Sequence, residues 1–74
     1  MDIKTTLYII EKRRGNNYAK MIDMVAFGLT NGGTKTALIL EETAQALEKA
    51  QTNPTKENWE NLKKSLINNP PRDI

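Results

Sequence analysis

Four interruptions by glycine, asparagine and proline limit the length of any helix or strand in this chain. They are Gly15-Asn16-Asn17, Asn31-Gly32-Gly33, Thr52-Asn53-Pro54 and Asn68-Asn69-Pro70-Pro71. Glycine, asparagine and proline favour turns and helix ends over helix interiors. The sequence therefore predicts four short segments, each of which must place its apolar residues against the others.

Apolar residues recur at helical spacing in the second, third and fourth segments. The three sets are Tyr18, Met21, Ile22, Val25, Ala26 and Leu29; Ala37, Leu40, Ala44 and Leu47; and Trp59, Leu62 and Leu66. Asn17 and Asn53 are suited to cap the helices that follow them, and Pro54 fits a first helical position. We expect helices over residues 17–30, 35–51 and 54–67, with Trp59 in the core.

The first segment is compatible with either a helix or a strand. Ile3, Leu7 and Ile10 have helical spacing, whereas residues 5–10 are rich in the β-branched and aromatic residues that favour strands. We favour a helix at residues 3–14, because a single strand would have no partner within the chain. The predicted fold class is all-α, a compact bundle of about four short helices. A strand at residues 4–11 is the alternative.

The length of the chain allows one domain, residues 1–74, with residues 68–74 expected to form a frayed tail. A domain of this size is near the limit at which one hydrophobic core is sufficient. The sequence has no cysteine and no histidine, which excludes disulfides and the usual zinc ligands. Regular helix packing or oligomerisation is left to stabilise it.

Catalytic groups are scarce in this composition. Histidine and cysteine, the most frequent general base and the strongest nucleophile, are absent. Glu57 and Glu60 can share a helix face, but lysines share it too, and the glycine turn at residues 31–36 lacks the spacing of a phosphate-binding loop. We expect no enzyme, no catalytic residue, no cofactor, no metal site and no small-molecule substrate.

The predicted location is the cytoplasm, without a membrane partner. No apolar run approaches the roughly 20 residues that span a bilayer, and residues 1–4 lack the layout of a secretory signal. The abundance of asparagine, lysine and isoleucine is typical of an AT-rich microbial gene, which suggests a bacterial or phage origin.

The predicted helix at residues 17–30 has apolar side chains on a second side, Met24 and Phe27, next to Lys20. Such a helix either is covered on two sides within its domain or binds a partner. With Ile39 of the next segment, Met24 and Phe27 form the predicted partner or dimer surface. The predicted function is a protein-interaction module that acts as a regulator, inhibitor or accessory subunit of a larger protein, as a homodimer.

A basic cluster, Lys12-Arg13-Arg14, ends the first segment. Cations at a helix C-terminus also suit the helix dipole. With Lys20, these residues are candidate contacts for the phosphates of nucleic acid. A helix-turn-helix is disfavoured, because its recognition helix would present apolar residues and then Glu41-Glu42 to the DNA.

With a strand at residues 4–11, the order strand, helix, turn, helix over residues 3–50 resembles the ribbon-helix-helix repressors. That resemblance implies a DNA-binding transcriptional regulator, a dimer whose paired strands enter the major groove. The residues it would direct to bases are Lys4, Thr6 and Tyr8. Those it would direct to the DNA backbone are Gly33, Thr34 and Lys35.

Overall fold

Four α-helices make up most of the part of the chain that the structure, a computed structural model, describes: residues 3–30 and 37–73. The elements in chain order are α1 (Ile3–Arg14), α2 (Tyr18–Thr30), β1 (Ala37–Leu38), α3 (Glu41–Thr52), α4 (Lys56–Asn68) and β2 (Arg72–Asp73). The prediction of a mainly α-helical, compact bundle is confirmed. The glycine turn at residues 31–36, with Gly33, Thr34 and Lys35, lies outside the described residues.

The first segment is a helix, so the alternative strand at residues 4–11 is wrong. Leu7 and Ile10 are buried on one side of α1, with Ile3 packed beside them. The burial of apolar side chains at helical spacing outweighs the strand preference of the β-branched residues, since that preference depends largely on packing context. The ribbon-helix-helix arrangement has no strand to build on, and Lys4, Thr6 and Tyr8 lie on a helix.

The joint between α1 and α2 is tight and follows the predicted pattern. Gly15 has a positive φ of 58°, a conformation that glycine adopts without steric cost, and its N–H donates to the Glu11 carbonyl at 3.0 Å. The Asn17 side-chain oxygen accepts from the Lys20 N–H at 3.2 Å, as expected of a helix cap. A short turn thus joins the two helices, which pack against each other as a hairpin.

The third helix begins at Glu41, so the prediction of a helix start at residue 35 is wrong. Ala37 and Leu38 are extended instead and pair antiparallel with Asp73 and Arg72. Residues 72–73, expected in a frayed tail, form the other strand of this ladder. Leu40 precedes the helix in an extended conformation, and the carboxylates at positions 41 and 42 suit its first turn.

The fourth helix begins at Lys56 rather than at residue 54. Its cap is Thr55, whose hydroxyl accepts from the Asn58 N–H at 3.2 Å. Asn53, predicted as the cap, ends α3 instead: its N–H donates to the Lys49 carbonyl at 2.9 Å. The carbonyl of Asn53 also accepts from the buried Asn58 side-chain amide at 2.8 Å, which fixes the turn between the two helices.

The core lies where the α1–α2 hairpin packs on the α3–α4 hairpin. Its buried apolar side chains are Leu7, Ile10, Met21, Ile22, Val25, Leu29, Leu47, Ala50, Trp59, Leu62 and Leu66. The hydroxyls of Thr43 and Ser65 share a 2.7 Å hydrogen bond between α3 and α4. No buried side-chain nitrogen or oxygen in the described ranges lacks a hydrogen-bond partner. Side chains from all four helices therefore meet in one core.

Trp59 is fully buried, as predicted, and its indole N–H is satisfied by a distant part of the chain. The donor Nε1 lies 3.2 Å from Glu11 Oε2. The same oxygen is 3.1 Å from Lys63 Nζ, which is also 3.1 Å from Glu60 Oε2. Burial lowers the pKa of Lys63, but hydrogen bonds and attraction from Glu60 and Glu11 outweigh it and raise that pKa above its ordinary value.

Replacing Glu11 with alanine should destabilise the fold by about 1–3 kcal/mol, because it leaves the buried indole N–H of Trp59 without an acceptor. Glu48→Ala is the matched control, since Glu48 is exposed on α3, outside its first turn; it should change the free energy of unfolding by at most about 0.5 kcal/mol. Urea denaturation followed by Trp59 fluorescence measures both. Equal free energies of unfolding for the two variants would contradict this role for Glu11.

Candidate functional site

The side of α2 that faces away from the core carries the most exposed aromatic side chain among the described residues. Met21, Ile22, Val25 and Leu29 are buried. Phe27 lies two residues from both Val25 and Leu29, which is about 200° around the helix, and it is 61% exposed. This position is one turn after Met24 and two turns after Lys20. The predicted second apolar side of α2 therefore reaches the surface.

Met24 lies at the boundary between the core and this surface. It is half-buried and packs against the core, while the Arg14 side chain donates from Nε to its sulfur at 3.2 Å. A thioether is a weak acceptor, so the contact positions the guanidinium more than it stabilises the fold. The contact joins the basic end of α1 to the apolar outer side of α2.

The basic cluster at the end of α1 is fully on the surface. Lys12, Arg13 and Arg14 are all exposed, at the helix C-terminus, where cations are favoured. Lys12 Nζ lies 5.5 Å from the ring centroid of Tyr8, one turn earlier, within the range of a cation–π contact. Tyr8 is itself 59% exposed, so an aromatic ring accompanies the cations.

We name these groups of the two helices together the hairpin surface; within it, Lys12 lies about 200° around α1 from Arg14, and the Arg14–Met24 contact joins the two helices. Its members are Tyr8, Lys12, Arg13, Arg14, Lys20, Met24 and Phe27. Two carboxylates accompany it in sequence. Glu11 is occupied by Trp59 and Lys63, whereas Asp23 is exposed. The hairpin surface therefore combines apolar groups with an excess of positive charge.

Six of the seven residues predicted as contacts lie on α1 and α2, and the structure shows a contact between two of them, Arg14 and Met24; Ile39 lies elsewhere. Ile39 lies in the extended segment between β1 and α3, half-buried against the core. Its neighbour Leu40 is 52% exposed. Residues 37–40 were predicted to be helical, but they precede α3. The prediction that Ile39 lies on a helix face was therefore wrong. The exposure of Tyr8 was missed, although its spacing from Lys12 could have indicated the pairing.

The carboxylates of the described chain are engaged in packing or dispersed on the surface. Glu11 and Glu60 converge on Lys63, and each supplies one oxygen to it. Glu41, Glu42 and Glu57 are exposed. Within residues 3–30 and 37–73, no group of three or more aspartates and glutamates has an arrangement that could hold a metal ion.

Two further observations concern the class of protein. None of the helices in the described ranges combines the length and apolar character needed to cross a membrane. Comparison with protein-family models, curated proteins and solved structures gave no match for this chain.

Phe27→Ala should change the free energy of unfolding by at most about 0.5 kcal/mol, because its ring lies opposite the core. Leu29→Ala, two residues along the same helix but buried, should cost about 2–5 kcal/mol. Thermal or urea unfolding followed by circular dichroism measures both. A loss for Phe27→Ala as large as that for Leu29→Ala would place Phe27 in the core and remove it from the hairpin surface.

Proposed function

We propose that this chain is a non-enzymatic protein-interaction module that binds a larger protein through the hairpin surface. The observation that carries the proposal is the exposure of Phe27 on the side of α2 opposite the core, beside half-buried Met24. A phenylalanine gains about 1.5–3 kcal/mol when it is transferred from water to an apolar site. Aromatic, methionine and arginine side chains are enriched at protein interfaces.

In this proposal the module is a cytoplasmic bacterial or phage protein that acts as a regulator, inhibitor or accessory subunit. A small rigid domain can do this without catalytic groups. Occupying a surface of a larger protein is sufficient to block that surface or to recruit the larger protein. Met24 suits such a role because its flexible thioether adapts to differently shaped partners. Its position at the edge of the core lets it contact a partner without exposing the core itself.

A second candidate function is contact with nucleic acid through Lys12, Arg13, Arg14 and Lys20. The supporting observation is that these four cations are exposed. Because α1 is a helix, it cannot supply the strand that ribbon-helix-helix repressors place in the major groove. Such binding would rest on phosphate contacts alone. We rank it second because phosphate contacts leave Met24 and Phe27 without a role.

Photo-crosslinking tests the first candidate. A photoreactive phenylalanine at position 27 should give a covalent adduct with a larger protein in cells that make this chain, because that side chain is at the proposed interface. The same residue at Gln45, exposed on α3, should not give that adduct. Indistinguishable adducts from both positions, or an adduct with nucleic acid alone, would contradict the proposal.

The proposed homodimer should be weak and should become stronger as salt is raised. A two-fold interface brings the same patch of each copy together, so the hairpin surface would place cations against cations, and salt screens that repulsion. Sedimentation velocity at increasing chain and salt concentrations measures it. Phe27→Asp should give a monomer, and Gln45→Asp should leave the equilibrium unchanged. A monomer under every condition would remove the homodimer.

A further inference from the structure

We propose that the segment bound by the hairpin surface is an acidic, amphipathic stretch of a protein, with apolar side chains on one face and carboxylates beside them. This inference rests on the proposed function and names the chemistry of its partner. It follows from the placement of charge around the Met24–Phe27 pair.

The apolar part of the surface is small and narrow. Met24 and Phe27 are one helical turn apart on α2, and the ring of Phe27 is 61% exposed. Two cations lie near Met24: Arg14, whose side chain contacts the Met24 sulfur, and the exposed Lys20, one turn earlier on α2. An occupant that covers both Met24 and Phe27 approaches these cations, and carboxylates on that occupant would compensate their desolvation.

Arg14 is placed to bind a carboxylate. Its Nε is directed to the Met24 sulfur at 3.2 Å, which orients the planar guanidinium across the surface. The terminal nitrogens of a guanidinium donate in a fork that matches the two oxygens of a carboxylate.

The surrounding surface carries more cations than carboxylates, with the exposed Asp23 one helical turn from both Lys20 and Phe27. In the second half of α1 and in α2, the exposed cations are Lys12, Arg13, Arg14 and Lys20, against the single exposed carboxylate of Asp23. The carboxylate nearest in sequence to the cluster, Glu11, accepts from Trp59 and Lys63. Within residues 3–30 and 37–73, none of these cluster residues forms a salt bridge. Complementary potentials favour an acidic partner and accelerate its association.

Nucleic acid would satisfy the cations, but its backbone offers no apolar group for Met24 or Phe27. A second copy would satisfy the apolar pair, but it would bring like charges together. An acidic, amphipathic protein segment satisfies both parts of the surface, which is why the observations favour it over the other two occupants.

Fluorescence anisotropy with defined probes tests the inference on the whole chain. The probes are a labelled helical peptide with leucine on one face and glutamate on the other, the same peptide with glutamine for glutamate, the same peptide with serine for leucine, and single-stranded and duplex DNA. The leucine–glutamate peptide should bind at least about tenfold more tightly than the other peptides and the DNA. Its affinity should fall as salt rises toward about 1 M, where the Debye length is about 3 Å.

Substitutions assign the binding to the hairpin surface. Arg14→Gln with Lys20→Gln should weaken the leucine–glutamate peptide about tenfold and flatten its salt dependence. Phe27→Ala should weaken it by at least about tenfold. The control is Lys49→Gln with Lys64→Gln, which removes the same charge from exposed positions of α3 and α4; it should leave binding unchanged. Circular dichroism confirms that each variant is folded.

Three results would overturn the inference: equal binding of the glutamate and glutamine peptides, tighter binding of DNA, or equal losses in the test and control variants. If any of these occurs while the photoreactive residue at position 27 still captures a protein, the proposed function stands and only the acidic partner is wrong. If no peptide binds and position 27 captures no protein, both are wrong.

Discussion

The indole of Trp59 is fully buried, and its N–H donates to a carboxylate from the first helix, 48 residues earlier in the chain. This contact links α1 to α4, and without it the buried indole N–H would have no acceptor, at a cost of about 1–3 kcal/mol. The contact also determines the electrostatics outside the core. Glu11 immediately precedes Lys12-Arg13-Arg14, and by turning to Trp59 and Lys63 it leaves those cations without a neutralising neighbour.

Sequence patterns were sufficient where structure is decided locally. Helical spacing placed Met21, Ile22 and Val25 in the core, and Gly15 and Asn17 marked the ends of two helices by their own backbone and side-chain chemistry. Sequence patterns failed where the local conformation depends on residues far away in the sequence. Residues 37–38 are extended because they pair with residues 72–73. No local pattern contains that pairing, and the apolar spacing of the segment suggested a helix.

The cap of α4 shows a failure of a different kind. Asn53 and Thr55 are both competent caps, and Pro54 favoured the first by its fit to the opening of a helix. The choice falls on Thr55 because Asn58 is buried and its side-chain amide needs an acceptor, which the Asn53 carbonyl supplies at 2.8 Å. A hydrogen bond required by burial thus sets the helix start, and burial was not predictable for an asparagine. The same distinction applies to the candidate site. The second apolar side of α2 was predictable from residue spacing, whereas the Arg14–Met24 contact depends on the angle of the Gly15 turn.

The fold alone accounts for some features of the hairpin surface and leaves others unexplained. Cations at the end of α1 are explained by the helix dipole alone, so their presence by itself says little about function. The dipole does not explain why Arg14 contacts the Met24 sulfur, or why a phenylalanine occupies the outer side of α2 in a domain with so few aromatic residues to place in its core. Moving that phenylalanine inward would add stability to a small chain. In the proposed function, this phenylalanine contributes to binding rather than to folding.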